Sequence, residues 1–498
     1  MQSQPQPRFR RIRIENDEDI NRLYPLILDY LHEPARALSV EELIITKSVS
    51  SYQLSTLTHA QEEVLDREEA RDVSTETSLI QLVEDIGIPD VDVNQWVRIL
   101  TWMKPELATS RAGTTGAYGL PATFPRRDSL FAHHAATLLL SLCRNITHLT
   151  LRDPGFESPL PNLLLQNNYN KLRLQLLPNL RHVSILPTDE LIISDERFYT
   201  TMDFLGHFRR FHRLPSVESI EVAAIAEDSR GTDWTLHPPR TGNFSRISVA
   251  HSDLSSTFLV ALIGAPKALR SFSMSVGGRA ALGGGQSMMS LTELGKVLLT
   301  QKETLQSLDL DIDDYILESR HDNPDIDYED DILQYHSEDE WFQQDLADSK
   351  GPIFMSRVEA TREYGGTIGS LHEFATLRRL SIGVKALLGV PEQKYDAATD
   401  TVALVTPEAP FRLVDALPAS LESLTIRGYT PGENSVYDGQ IAELLEGREL
   451  KLPGLLHLRG VSGDTIESSN MVEDPDGASE QGGVLWEPEE RETDWLEV

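Results

Sequence analysis

Cysteine is nearly missing from this chain, with one, Cys143, in 498 residues. That excludes a disulfide framework and any multi-cysteine zinc or iron–sulfur site. Long apolar runs are missing too. The longest is Phe258–Ile263, far short of the roughly 20 residues a spanning helix needs. The N-terminus, MQSQPQPRFRRIRIEND, has basic residues but no apolar core of a secretory signal. Positive charge is scarce, with 45 Lys and Arg against 78 Asp and Glu and a net charge of -33. Binding to nucleic-acid phosphates needs clustered bases, so the balance argues against it. The reading is therefore no membrane span, no nucleic-acid partner, and an intracellular home, cytoplasmic or nuclear.

What is present is uneven. Residues 311–348 hold 15 acidic residues and one base, Arg320; residues 461–498 hold 12 and one, Arg491. These two stretches account for most of the net charge. Like-charge blocks repel themselves and are usually solvated. The expected organisation is an N-terminal extension over 1–19, a folded body over 20–460 with an acidic insertion at about 311–350, and an acidic, disordered tail over 461–498. The tail's only large apolar residues are Trp486, Trp495 and a few aliphatics.

The body carries a repeat of the form apolar-x-x-apolar-x-apolar. It occurs as Val40-Glu-Glu-Leu43-Ile-Ile45, and then with first apolar residues at Ile146, Leu180, Val217, Phe244, Leu269, Leu305, Leu377 and Leu421. Leu455-Leu-His-Leu458 begins a further copy that breaks at Gly460. Most copies follow one another after 25–44 residues, the range of solenoid repeats. Each ends in period-2 alternation, the mark of a short strand with one buried face. Pro178, Pro215, Pro266, Pro418 and Pro453 sit two or three residues before their copies, where proline ends a helix. Upstream lie helix-spaced apolar sets. These are Phe198, Met202, Leu205 and Phe208; Phe258, Leu259, Leu262 and Ile263, with Asp253 or Ser255 as N-cap; Leu291, Leu294, Leu298 and Leu299; and Phe411, Val414 and Leu417.

The unit is helix, proline turn, strand. Units of this kind bury their apolar faces by stacking. A doubly wound sheet needs near-continuous apolar strands, whereas these alternate with Ser, Thr, Arg and His. The predicted fold is α/β, a leucine-rich-repeat-like solenoid (horseshoe) with parallel strands on the concave face and helices outside.

The stretches APKALRSFSMSV, LLTQKETLQSLDLDID, GSLHEFATLRRLSIGVKALLG and LPASLESLTIRGYTPG resemble leucine-rich repeat proteins, most closely the fungal F-box type with a repeat body. The resemblance runs through about residues 20–460. It implies a substrate receptor of a cullin-type (SCF) ubiquitin ligase, in which an F-box binds the adaptor subunit and the repeats bind the substrate. The segment Leu23-Tyr-Pro-Leu-Ile-Leu-Asp-Tyr-Leu31 has one Pro in a helical pattern and runs straight into HEPARALSVEELIIT. That leaves no room for a complete F-box.

No motif carries catalysis. Asp309, Asp311 and Asp313 fit positions 1, 3 and 5 of a calcium loop, but Asp314 stands where Gly is needed and Arg320 where Glu is needed. A second start at Asp325 fails in the same way. The Gly-rich run from Val276 lacks the Lys of a phosphate loop and reads as a turn. His133 and His134 have no partner at ligand spacing, and Cys143 reads as helix packing. Asn145 and Asn243 match a glycosylation pattern that is idle without secretion. No catalytic residue, metal or cofactor is expected.

The candidate binding residues are the wet strand positions: His148, Thr150, His182, Ser184, Ser219, Glu221, Arg246, Ser248, Ser271, Ser273, Ser307, Asp309, Arg379, Ser381, Ser423 and Thr425. A curved stack of parallel strands offers an extended surface to a protein partner. Two alternatives stay open on the sequence: a repeat scaffold with no ligase link, and a metal-dependent hydrolase around residues 309–331.

Overall fold

The computed structural model describes residues 8–46, 73–89, 91–101, 125–152, 158–187, 197–227, 239–281, 289–316, 340–348, 366–396, 401–405, 411–461, 465–467, 486 and 492–498. The chain divides into two compact units. One takes Met1–Ser194, Phe208–Val217 and Glu489–Val498; the other takes Asp195–His207 and Glu218–Pro488. Both are mixed α/β, built on an open and mostly parallel run of strands.

In the first unit, β1 (Phe9–Ile14), α1 (Asp17–His32), α2 (Pro34–Ala37) and β2 (Glu42–Ile45) come in succession. They are followed by α3 (Val73–Ile86), α4 (Val93–Thr101), α5 (Pro125–Leu142), β3 (His148–Arg152), α6 (Pro159–Asn168) and β4 (His182–Leu186). Strands β1 to β4 lie side by side in chain order, all parallel. Successive residues of a strand face opposite sides of a sheet. So Leu149 and Leu151, then Val183 and Ile185, drop into the core while their neighbours stay wet. Helix α1 starts from a capping box: Asp19 N–H donates to Asn16 Oδ1 at 3.0 Å, and Asn16 N–H to Asp19 Oδ2 at 3.4 Å. Ile20, Leu23, Tyr24, Leu26, Ile27 and Tyr30 on one side of it are buried, while Leu28 and Leu31 are partly exposed.

The expected extension over 1–19 is therefore partly body. Residues 9–14 are a sheet strand, and α1 begins at Asp17. The repeat phrase is present there as Phe9-Arg-Arg-Ile12-Arg-Ile14, with Phe9, Ile12 and Ile14 buried. Arginines at its wet positions give it the look of a basic tail.

The second unit opens with β5 (Thr200–Met202), α7 (Phe204–Arg209, of which residues 204–207 belong to this unit), β6 (Ser219–Ala223), β7 (Ile225–Glu227), β8 (Arg246–Ala250) and α8 (Ser256–Gly264). It continues with β9 (Ser271–Ser275), α9 (Leu291–Leu299), β10 (Ser307–Asp311), α10 (Glu340–Asp348), β11 (Arg379–Gly383) and α11 (Val384–Leu388). The last elements are β12 (Glu392–Asp396), β13 (Thr401–Val405), α12 (Leu413–Ala416), β14 (Ser423–Arg427), α13 (Ser435–Lys451) and β15 (His457–Arg459). The order β6-β8-β9-β10-β11-β14-β15 is parallel throughout. The helical pattern expected over Phe198–Phe208 is split, because residues 200–202 pair with β7 as a strand and only 204–209 coil.

One local motif repeats at each strand entry. The Glu218 carbonyl accepts from Ser245 and Arg246 N–H; the Ser245 carbonyl accepts from Arg270 and Ser271; the Arg270 carbonyl accepts from Gln306 and Ser307. Gln306, Arg378 and Glu422 continue the series. The same step, taken with the same phrase, keeps Ile247, Phe272, Leu308, Leu380 and Leu424 in one buried row. Ser255 caps α8 at Phe258 N–H, 3.3 Å away, and Ser290 caps α9 at Glu293 N–H.

Candidate functional site

Every one of the sixteen expected binding residues lies on the unburied side of its strand. In the second unit they form two aligned columns. Ser219, Arg246, Ser271, Ser307, Arg379 and Ser423 are register partners in sequence, and so are Glu221, Ser248, Ser273, Asp309, Ser381 and Thr425. The columns run on through His457 and Arg459 of β15. In the first unit, His148 is paired with His182 and Thr150 with Ser184. The two imidazoles stack at 4.5 Å. There Glu42 of β2 and Arg11 and Arg13 of β1 carry the columns further, while Ile44, in register between Thr150 and Arg13, is buried.

The second unit's face has a polar focus that the phrase alone does not reveal. Arg427, one residue past the third apolar position of its phrase, donates from Nη2 to Asp309 Oδ1 at 3.2 Å and from Nε to Ser381 Oγ at 3.1 Å. Its Nη1 lies 3.7 Å from Asp311 Oδ2. One guanidinium thus ties three neighbouring strands together. Extending the alternation one step beyond Ile426 is the signal that could have found it.

Beside this focus, Asp313 is buried. Its carboxylate accepts from Lys385 N–H at 2.9 Å and Ala386 N–H at 3.2 Å, at the start of α11. Burial outweighs those two bonds and pushes its pKa up to about 6. The fit requires Gly383, since a Cβ there would overlap the Asp313 carboxylate. The acidic insertion expected from 311 therefore begins inside the sheet. Asp311 and Asp313 are buried, because strand β10 and the turn after it carry them under Arg427 and α11. Residues 317–339 lie outside the described residues, and with them the second calcium-loop start. Residues 340–348 form α10.

Of the tail expected to be disordered, residues 462–464, 468–485 and 487–491 lie outside the described residues. Its last residues are placed: Leu496 and Glu497 pair antiparallel with β1, and Val498 N–H donates to the Arg8 carbonyl. Trp495 Nε1–H donates to Asp19 Oδ1 at 2.7 Å, its ring meets Phe9 edge-on at 4.9 Å, and Arg22 lies over it at 4.0 Å. In the second unit, Trp486 stacks on His251 at 4.7 Å. Large aromatics bury well wherever a complementary surface exists, and charge density alone misses that.

The remaining candidates resolve locally. His133 and His134 are buried on α5, with His134 against Trp96 at 4.7 Å. Cys143 is fully buried, which pushes its thiol pKa up. The Asn145 amide donates to the Leu38 carbonyl, and Asn243 Oδ1 accepts from Lys267 Nζ. A groove of about 770 Å³ in the first unit is lined by Leu38, Leu82, Leu142 and Leu174 with Arg144 and Arg173. Among the described residues, no group of three His, Cys, Asp or Glu is placed to hold a metal, and no helix is long and apolar enough to cross a membrane. No family model matches the chain, and no curated protein sequence matches it.

Proposed function

We propose that this protein is a non-enzymatic recognition module: a leucine-rich-repeat-type solenoid that holds a protein partner on the wet face of its parallel strands. One observation carries the reading. The wet residues of six successive strands, from Ser219 to Ser423 in one column and Glu221 to Thr425 in the next, stand in strict register over a continuous buried row. Small hydroxyls dominate, and Arg246 and Arg379 project as exposed charges. Small side chains let another surface approach closely, and exposed arginines are frequent anchors at such contacts. By the sequence resemblance, the partner is the substrate of a cullin-type ubiquitin ligase, and the working place is intracellular.

A stand-alone repeat adaptor is the second reading. What favours it is that residues 9–32 already serve as strand and helix of the body, through β1 and α1.

The test is quantitative affinity capture with the full chain and with an Arg246→Glu/Arg379→Glu variant, followed by hydrogen exchange on the recovered complex. We expect the partner to be lost from the variant and the β8–β11 strands to be protected in the complex. Cullin and adaptor subunits in the capture would support the ligase role; their absence with the partner retained would support the adaptor. Equal capture by both baits, with no protection of these strands, sinks the wet-face reading.

A further inference from the structure

The tail residue Trp486 occupies a site built for it. The strand β8 ends at Ala250, and His251 follows with a left-handed backbone, φ 46°. That residue's N–H donates to Ser275 Oγ at 2.9 Å, and its Nδ1–H donates to the Gly277 carbonyl at 3.2 Å. These two bonds fix the imidazole at the strand ends. Trp486 lies nearly parallel to it, with 19° between the planes. Arg279 stands 5.6 Å from the indole centroid, within cation–π range. Trp486 N–H donates to the Gly278 carbonyl at 2.7 Å. Gly278 has φ +77°, and a Cβ on it would come within 2.5 Å of Trp486 Cβ. So the cradle has an aromatic wall, a cation, a backbone acceptor and a glycine floor. These are the parts that recognise an aromatic residue in an extended chain.

We propose that the His251–Gly278–Arg279 cradle is an aromatic-recognition subsite, occupied in cis by Trp486, that takes an aromatic residue from an extended acidic segment of the partner. This rests on the recognition role proposed above and specifies the partner's chemistry. The cradle lies at the C-terminal ends of β8 and β9, whose wet residues Arg246, Ser248, Ser271 and Ser273 belong to the candidate face. The acidic preference follows from the occupant. Trp486 is followed by Glu487, Pro488, Glu489 and Glu490, and the cation in the cradle is an arginine. A cis occupant acts at an effective concentration of roughly 1 mM, so a competing segment must outbind it or meet it released.

The probe is a fluorescent synthetic peptide, QGGVLWEPEER, copying residues 481–491. Its binding is followed by polarisation on full-length protein. The Trp486→Ala chain should bind the peptide, and wild type should bind it at least ~10-fold more weakly because its own tryptophan competes. In the Trp486→Ala background, Arg279→Gln should weaken binding several-fold and Gly278→Val should abolish it. Arg279→Gln keeps the test open if the valine variant fails to fold, as judged by circular dichroism. No binding to Trp486→Ala, or equal binding to all four proteins, overturns the proposal. The Arg246→Glu/Arg379→Glu/Trp486→Ala variant separates the cradle from the wet face. It should keep the peptide while losing the partner, so failure of the wet face and failure of the cradle read out independently.

Discussion

Gln301 shows at the level of one residue how a repeat turn is held. It is buried, and its Nε2–H groups donate to the Ile263 and Pro266 carbonyls, each at 3.1 Å. Its Oε1 accepts from Leu269 N–H at 3.1 Å. One side chain thus satisfies the end of α8, the proline turn and the entry to β9. Replacing Gln301 with Leu keeps the volume and strands three buried polar groups, each worth ~1–3 kcal/mol when unmade. We expect a loss of about 3 kcal/mol in urea unfolding, while Gln306→Leu on the exposed surface should stay within ~0.5 kcal/mol. Asp313 gives the pH counterpart. Its folded pKa of about 6 lies above the ordinary value of 3.8. The fold therefore favours the protonated form. The contribution is fully present below pH 3.8 and lost as pH rises through 6. The gap between the two values corresponds to ~3 kcal/mol. Between pH 4 and pH 7, wild type should lose about that much stability relative to Asp313→Asn. A gain over the same interval would show that the two N–H donors outweigh burial.

At the scale of the element, the C-terminal strand is the part that charge reasoning hides. Residues 492–498 cover the outer edge of β1, and an uncovered strand edge is a template for unwanted pairing. Trp495 anchors the cover through Phe9, Arg22 and Asp19, and Arg13 adds a 2.7 Å ion pair to Asp494. Trp495→Ala should cost about 2 kcal/mol in thermal unfolding, and amide exchange should rise along β1 before it rises along β3. Uniform exchange across β1 to β4 would mean that the strand covers nothing. The repeat strands were legible in the sequence, since period-2 burial fixes register: each copy of the phrase from Leu43 to Leu458 lies on a strand, whereas β5, β7, β12 and β13 carry no copy and were not foreseen. Strand β1 escapes that reading because Arg10, Arg11 and Arg13 fill its wet positions. The candidate face followed from the same alternation, up to Arg427. The two tryptophan contacts were not legible. They join residues 235 and 476 apart, His251 to Trp486 and Asp19 to Trp495, and no local periodicity encodes such a meeting.

The whole molecule carries a net charge of -33, and two salt effects oppose each other. Self-repulsion among like charges destabilises the compact state and weakens as salt screens it. Exposed ion pairs such as Arg10–Glu41 and Arg378–Glu422 also weaken, but each is worth only ~0–1 kcal/mol. Raising ionic strength from 0.01 to 0.15 M shortens the screening length from about 30 to about 8 Å. That removes repulsion between charges far apart while leaving close pairs, such as Arg10–Glu41 at 2.8 Å, partly intact. Repulsion outweighs the ion pairs at this net charge, so the melting temperature should rise by several degrees over that interval, as read by calorimetry. Neutralising Glu473, Asp474, Asp476 and Glu480 to their amides removes four of these charges without touching Trp486 or residues 492–498. The salt slope should then shrink in proportion. A melting temperature that falls with salt would place the balance in the ion pairs, Arg427 with Asp309 and Asp311 foremost, and would make the wet face the chief electrostatic tie of the protein.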